Sequence, residues 1–309
     1  MKVLVTGATG FVGACLTRRL VAIGHDVHIC LRPRSDRWRI KDLKPDIKEH
    51  LADLRDADVI MNAVSQIQPE VVFHLATHGG FAGQSESADI LETNILGTVN
   101  LLRACEKTGF NCFINTGSSS EYGPKTEPMN ENDPLYPVGD YGVSKAAATL
   151  YCRSEAVRKK LPILTLRLFS PYGQWDDPRR FIPYVIKSLL RGESPELASP
   201  NSVRDYIFID DVIDLFLKAA AIPRPGGIFN VGSGQQHTTG DVVGMIAENI
   251  GQGAVLLWGK LDPPRLEPLR WEADTASVKK SYDWDPATPL AKGLVKTVEW
   301  FRTHLELYP

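Results

Sequence analysis

The N-terminal stretch Met1-Lys-Val-Leu-Val-Thr-Gly-Ala-Thr-Gly-Phe-Val-Gly13 decides the fold. Val3 to Val5 is a short apolar run and predicts a buried strand. Glycines 7, 10 and 13 follow at once, and Val12, Leu16, Leu20 and Ile23 then recur at helical spacing. Strand, glycine turn and helix in this order is the context in which such glycines bind a dinucleotide. Gly7 permits the tight turn, Gly10 lets the backbone approach a pyrophosphate, and Gly13 lets helix and strand pack closely. The free N–H groups at the helix start, with the helix dipole, favour the phosphate charge. An ordinary surface turn also carries glycines, but not between a strand and a helix at residue 7.

Gly24-His25-Asp26 predicts a turn and Val27 to Leu31 a second strand. In NAD binders an acidic residue ending this strand accepts hydrogen bonds from the ribose 2′-hydroxyl. Here no acid stands there, and Arg32-Pro-Arg34-Ser35-Asp36-Arg37 follows. A carboxylate repels a 2′-phosphate, whereas a guanidinium forks onto it. Arg32, Arg34 and Ser35 therefore point to NADP(H) over NAD(H), the competing possibility being a solvated basic loop. Trp38 either covers the adenine or anchors a helix.

Further strands are expected at Ile47–Leu51, Val71–Ala76, Cys112–Thr116 and Pro162–Leu168, and a helix over Leu91–Cys105. Residues 124–139 predict a loop, and Asp140 a helix N-cap. This alternation implies an α/β fold with a doubly wound parallel sheet covered on both faces. After residue 168 prolines punctuate short pieces. Strands are expected at Tyr206–Ile209 and Ile228–Val231, with helices at Asp210–Ala221, Thr239–Ile250 and Leu290–His304. The predicted partition is a dinucleotide-binding domain over 1–168 and 203–232, and a smaller mixed α/β substrate domain over 169–202 and 233–309.

The 309 residues are 43% hydrophobic and carry a net charge of -2, enough for a sizeable core and without a basic run that would suggest nucleic acid. No apolar run reaches membrane-spanning length. Five scattered cysteines in no CxxC pair suggest small core residues in a reducing, cytoplasmic setting. The seven histidines show no ligand spacing, so no metal is expected.

Tyr141-Gly-Val-Ser-Lys145 is the second signal. Tyr141 and Lys145 fall on one helix face, about 6 Å apart along the axis. A free phenol titrates near 10, too high for a base at neutral pH. A neighbouring ammonium and an oxidised nicotinamide would stabilise the phenolate. Tyr141 could then exchange a proton with a sugar hydroxyl or ketone. Ser118, at the end of the preceding strand, can hydrogen-bond the same oxygen, although Gly117-Ser-Ser-Ser120 is also turn chemistry.

Together Thr6–Gly13, Val72–Ala76, Ser118–Gly123, Tyr141–Lys145, Leu166–Gly173 and Arg204–Val212 resemble an extended short-chain dehydrogenase/reductase, with a Rossmann-type nucleotide domain. More narrowly, the chain resembles the NAD(P)-dependent epimerase/dehydratase family acting on nucleotide sugars, over essentially its whole length. That resemblance implies roles at matching positions. Phe11 and Val12 add backbone N–H groups to the cofactor site of Gly7, Gly10 and Gly13. Asp53 and Leu54 border the adenine, Leu75 and Ala76 line the cofactor, and Pro171 lies near the nicotinamide. Ser118, Tyr141 and Lys145 are the catalytic set, the last two also touching cofactor. Ser119, Ser120, Arg180, Arg204 and Arg270 face the nucleotide sugar, whose diphosphate suits bidentate donors.

Two departures narrow the activity. Dehydratases of the family carry an acidic pair, or Ser-Glu, just after the catalytic Ser/Thr; here Ser119 and Ser120 stand there. Serine is too weak an acid, and unaided too weak a base, for that proton transfer. Glu121 comes one residue late and projects to the opposite side unless a bulge restores it. Ser170 replaces the asparagine that in the family contacts the substrate diphosphate. The leading expectation is NADPH-dependent reduction of a nucleotide-linked 4-keto-6-deoxy sugar at C4. The alternatives are a nucleotide-sugar 4-epimerase with retained cofactor and a non-catalytic dinucleotide sensor. The resemblance also suggests a homodimer paired through Leu91–Cys105 and Tyr141–Lys160.

Overall fold

The computed structural model describes residues 1–80, 86–251, 255–261 and 269–308. The chain begins β1 (Lys2–Thr6), α1 (Phe11–Ala22), β2 (Asp26–Leu31), β3 (Ile47–Leu51), α2 (Ala57–Ile67) and β4 (Val71–His74). It continues through α3 (Ser87–Leu91), α4 (Gly97–Thr108), β5 (Cys112–Ser118), α5 (Gly139–Lys159) and β6 (Ile163–Leu168). Then come β7 (Ser170–Tyr172), α6 (Phe181–Leu190), β8 (Glu196–Leu197), β9 (Val203–Phe208), α7 (Ile209–Ala221) and β10 (Ile228–Val231). The chain closes with β11 (Gln236–Thr238), α8 (Thr239–Ile250), β12 (Leu257–Trp258), α9 (Ala276–Tyr282) and α10 (Leu290–Thr303).

Seven strands form the main sheet in the order β10-β6-β5-β4-β1-β2-β3. The ladders that join β1 through β6 are parallel. Central strands covered on both faces should be apolar throughout rather than alternating. β4, β5 and β6 are buried at every position, whereas β3, at the edge, is mostly exposed. One face packs Leu4, Cys30, Val72 and Phe113 against Ile60, Val64 and Ile67 of α2 and Leu101, Leu102 and Cys105 of α4. All five cysteines are buried free thiols, and burial pushes Cys30 and Cys152 up to about 12. They act as small core residues.

The chain divides into two compact units: Met1–Gly123 with Glu131–Leu168 and Ile213–Asn230, and Pro124–Asn130 with Phe169–Val212 and Val231–Pro309. The sequence placed 203–232 wholly with the first part. Instead β9 joins β7 and β11 in a separate three-stranded sheet, which carries residues 203–212 into the second unit. Short pieces broken by prolines left no period from which to assign that sheet.

Two local expectations are corrected, and one helix is added. The helix over Leu91–Cys105 is interrupted by a π-turn at Glu92–Leu96 between α3 and α4. Asn94 in that turn is buried and points its amide inward, a common use of such bulges. Asp140 is not the N-cap of α5, which starts at Gly139 after Val138; its carboxylate accepts from the Ser87 hydroxyl instead. α2 was not anticipated, although Asp56 caps it by accepting from the N–H groups of Asp58 and Val59.

Candidate functional site

In open α/β sheets ligands bind beyond the carboxyl ends of the strands where the strand order reverses. Here the reversal lies between β1 and β4. Gly7 follows β1 at φ +73°, and a Cβ there would stand 2.6 Å from the backbone of both Leu75 and Ala76. Leu75 and Ala76 are thus brought against the glycine turn. A Cβ on Gly13 would fall 2.1 Å from the Gly7 carbonyl, so strand end and helix start touch backbone to backbone. Gly10 is exposed, its added Cβ meeting only the Gly7 carbonyl at 3.3 Å. No side chain caps α1, and its first turn holds no acid. Gly10 N–H donates to the Gly7 carbonyl at 3.0 Å, closing the turn, and the N–H groups of Phe11, Val12 and Gly13 start α1 in an acid-free cradle, which fits a dinucleotide pyrophosphate.

Around this turn Asp53 and Leu54 follow β3. Asp53 pairs with Arg55 at 2.8 Å, and the Arg55 hydrogen bonds hold its carboxyl below the usual range, helped by Arg32. Leu54 is buried under Gly97, where a Cβ would come within 2.9 Å of it. Arg32 and Arg34 are exposed, and Ser35 accepts through its carbonyl from Arg37 at 3.0 Å. The sequence passed over Arg39. It is buried, lies over the Trp38 ring at 4.4 Å and donates to the Thr9 carbonyl of the glycine turn at 3.2 Å.

Ser118 ends β5, while Tyr141 and Lys145 lie on α5, which packs against β5 and β6. The placement of α5 is fixed by Asn94. Its amide nitrogen donates to the His78 carbonyl and to Ser144 Oγ, both at 2.9 Å, and its oxygen accepts from His78 N–H at 2.7 Å. Ser144 Oγ in turn donates to the Tyr141 carbonyl at 2.8 Å. Asn94 thereby ties the segment after β4 to the first turn of α5. Lys145 is buried; burial lowers its pKa while Glu121 opposes the drop.

His74 was read only as a strand residue. It is buried between Thr6 Oγ1 at 2.7 Å and Thr98 Oγ1 at 2.8 Å. Thr98 donates to the Asn94 carbonyl, so it accepts from Nε2–H; the neutral ring then accepts at Nδ1 from the Thr6 hydroxyl, whose oxygen accepts from Ala76 N–H. The imidazole is neutral in this chain, and burial pushes it down to about 3, with Lys145 adding to the effect. Ser119 is buried and Ser120 half-buried, and Ser120 N–H donates to Ser118 Oγ at 3.1 Å.

The second unit holds its own pocket of about 550 Å³. Arg180, Arg204, Tyr206, Leu197, Trp258 and Pro171 are among its walls. Arg180 donates to buried Asp176 at 3.1 Å, and Arg204 lies 5.4 Å from the Trp271 ring. Cations beside aromatic and apolar walls suit a charged ligand with a flat ring. Asp205, next to Arg204, is buried and accepts from Ser233, Gly234 and Ala273 N–H groups at 2.7 to 3.0 Å. Burial nevertheless pushes its carboxyl up to about 6. Arg270 is not among the described walls of this pocket; its backbone forms an antiparallel β-bridge with Lys125 and its side chain pairs with Glu272 at 3.3 Å.

The family model for the NAD dependent epimerase/dehydratase family matches residues 3–232. The chain belongs to this family. A UDP-glucose 4-epimerase of Mycolicibacterium smegmatis is 31% identical over 313 residues, covering 98% of this chain and 99% of that one. Among solved structures, UDP-glucose 4-epimerase of Thermotoga maritima with UDP-glucose superposes at a TM-score of 0.91 and 28% identity, covering 99% and 100% of the two chains. The Thermus thermophilus UDP-glucose 4-epimerase in complex with NAD gives 0.88 and 27%, covering 98% and 100%. As a member of the epimerase/dehydratase family this chain is an enzyme of the short-chain dehydrogenase/reductase type. Within the family pattern Glu121 is settled by its contacts. It is fully buried and engaged by Arg167 at 2.7 Å, so the bulge that would aim it at a substrate is not formed.

Proposed function

We propose that this protein is a nucleotide-sugar 4-epimerase acting on a UDP-hexose with a retained nicotinamide dinucleotide. The observation that carries the proposal is Ser118 at the carboxyl end of β5 and Tyr141 and Lys145 on α5 against that strand, in the sheet whose β1 ends in the acid-free glycine turn, with the nearest following carboxylate buried. Ser119 and Ser120 offer no acid for elimination, and Glu121 is committed to Arg167. The likeness to UDP-glucose 4-epimerases over nearly the full chain supports C4 chemistry over dehydration.

The bound dinucleotide supplies hydride acceptor and hydride donor. Tyr141 removes the proton of the sugar C4 hydroxyl and returns one when the carbonyl is reduced from its other face. Lys145 stabilises the phenolate through its positive charge. Ser118 Oγ, oriented by Ser120 N–H, hydrogen-bonds the reacting oxygen. In the second unit Arg180 and Arg204 hold the diphosphate, and Tyr206 and Trp258 wall the nucleotide. Purified enzyme is expected to interconvert UDP-glucose and UDP-galactose with no net change in nicotinamide absorbance. No interconversion across UDP-hexoses would overturn the proposal.

One observation favours the reductase reading: β2 ends without an acid, and exposed Arg32 and Arg34 follow it. Those guanidinium groups suit a 2′-phosphate and hence NADP(H). Stoichiometric NADPH consumption with a nucleotide-linked 4-keto-6-deoxy sugar, without sugar interconversion, would establish that reading in place of the first.

The site is further proposed to work in a homodimer. Val143, Leu150 and Val157 lie seven residues apart on α5 and are 44%, 54% and 69% exposed, an apolar stripe of the kind that pairs helices. A Leu150→Glu substitution is expected to shift the protein from twice the chain mass to the chain mass in sedimentation, weakening association by at least about tenfold, since an unpaired buried carboxylate costs more than 1.4 kcal/mol. Unchanged mass would remove α5 as the interface.

A further inference from the structure

Glu121 is a buried acid that the proposed reaction does not use. It sits in the one-turn helix Ser119–Glu121 after β5 and has no exposed surface. Oε1 accepts from Ser118 N–H at 2.8 Å and from the Thr149 hydroxyl at 3.0 Å. Oε2 accepts from Arg167 Nε at 2.7 Å. Arg167 is itself buried and donates to the Tyr122 hydroxyl at 2.9 Å, which donates to Asn230 Oδ1 at 2.7 Å. Burial pushes the Glu121 carboxyl up, and the Arg167 charge with the donors on both carboxylate oxygens opposes that rise and serves the ionised form. A buried ion pair rarely adds stability over apolar replacements of similar volume, so its presence calls for another account.

We propose that Glu121 is a positioning residue for the Ser118, Tyr141 and Lys145 site, fixing the Ser118 backbone and supplying the counter-charge that keeps the buried Lys145 ammonium protonated. The first role follows from the capping box, in which Ser118 Oγ accepts from Ser120 N–H while Glu121 accepts from Ser118 N–H. That closed loop holds the Ser118 hydroxyl. The second follows from the helix. Thr149 lies one turn beyond Lys145 on α5, so its bond to Glu121 places the carboxylate against the same face. Cys152 continues that face, and burial pushes its thiol up to about 12, leaving it uncharged. The charged groups facing Glu121 are therefore Arg167 on β6 and Lys145 on α5. Burial lowers Lys145, and Glu121 is the largest opposing influence. Space is also reserved for the arrangement: a Cβ on Gly117 would lie 2.6 Å from Glu121 Oε1 and 2.9 Å from Arg167 Cγ.

The proposal rests on Ser118, Tyr141 and Lys145 being the reacting groups, and its test separates the two. The double variant Glu121→Leu/Arg167→Met removes both charges, so neither member of that ion pair faces a lost partner, while Lys145 loses its counter-charge. Its thermal transition is expected to fall below the parent's, because the buried Lys145 ammonium and the Ser118 N–H each lose what Glu121 supplied, and titration and turnover are read below that transition. With ¹³C-labelled lysine, the Lys145 resonance, assigned through Lys145→Met, is expected to titrate at least about one pH unit lower than in the parent, because burial then acts without a counter-charge. This measurement needs no substrate. On whichever sugar nucleotide the parent turns over, kcat is expected to fall about 10²-fold with KM within about twofold, the scale of a small misplacement of a reacting group. The alkaline limb of kcat moves to lower pH with Lys145. The variant Glu121→Gln/Arg167→Met keeps an acceptor for Ser118 N–H; it should recover about tenfold of kcat, the size of one positioning hydrogen bond, but not the lysine titration. A Lys145 that titrates at the parent's pH in both variants, or a parent-like kcat in the first, overturns the proposal. A parent inactive on every nucleotide sugar would instead overturn the assigned function and leave the lysine titration to judge Glu121.

Discussion

Tyr141→Phe is expected to lower kcat by about 10³-fold or more, the upper part of the range for a positioned proton donor and acceptor. Dinucleotide binding, followed by fluorescence or by retained cofactor after purification, should stay within about twofold, because the phosphate turn at Gly7–Gly13 is built without Tyr141. The substitution removes one oxygen and keeps the ring. Tyr141 lies in the first turn of α5 and is only partly buried, and Ser144 and Asn94 hold the helix there. The loss should therefore appear in kcat and not in folding. Lys145→Met should also reduce kcat, and in addition remove the alkaline limb, since the charge that favours the phenolate is gone. A Tyr141→Phe enzyme with parent-like turnover would end the proton-transfer account and return the chain to a dinucleotide-binding sensor.

The sheet was legible because its determinants are local. Val3–Val5, Val71–Phe73 and Cys112–Ile114 are unbroken apolar runs, and strands buried on both faces need nothing else. The glycine turn was legible because each glycine answers a separate steric demand at a fixed offset from β1. Tyr141 and Lys145 were legible through one helical turn. What stayed hidden depends on contacts between distant segments. The π-turn at Asn94 exists to reach His78 and Ser144, residues 16 and 50 positions away. Glu121 looked one residue out of place, and only its partner Arg167, 46 positions on, explains where it points. Arg270, expected from the resemblance to face the nucleotide sugar, pairs with Glu272 two residues on, a local contact. The pocket of the second unit is assembled from β7, α6, β8, β9 and single residues further on, and no short window of sequence contains it.

Gly13→Val should abolish the protein as a dinucleotide binder by destroying the approach of α1 to β1. The new Cβ would meet the Gly7 carbonyl oxygen at 2.1 Å, its carbon at 2.7 Å and Ala8 Cα at 3.1 Å, all of them backbone. Backbone cannot rotate away as a side-chain tip can, so the helix start must move. Overpacking of this kind costs typically 1–3 kcal/mol and here should reach about 3 kcal/mol or more, seen as a lowered thermal transition. Gly10→Ala makes the informative contrast. Its Cβ approaches only the Gly7 carbonyl, at 3.3 Å, and Gly10 is exposed, so the fold should survive within about 1 kcal/mol. The methyl instead occupies space that a pyrophosphate must enter, and dinucleotide affinity should fall by about 10²-fold, the equivalent of roughly 3 kcal/mol. Stability lost at Gly13 and affinity lost at Gly10 would assign the first to packing and the second to the ligand. If Gly10→Ala bound NAD and NADP as the parent does, the turn would be a helix connection and not a phosphate site, and the chemistry proposed for Tyr141 would have no hydride partner beside it.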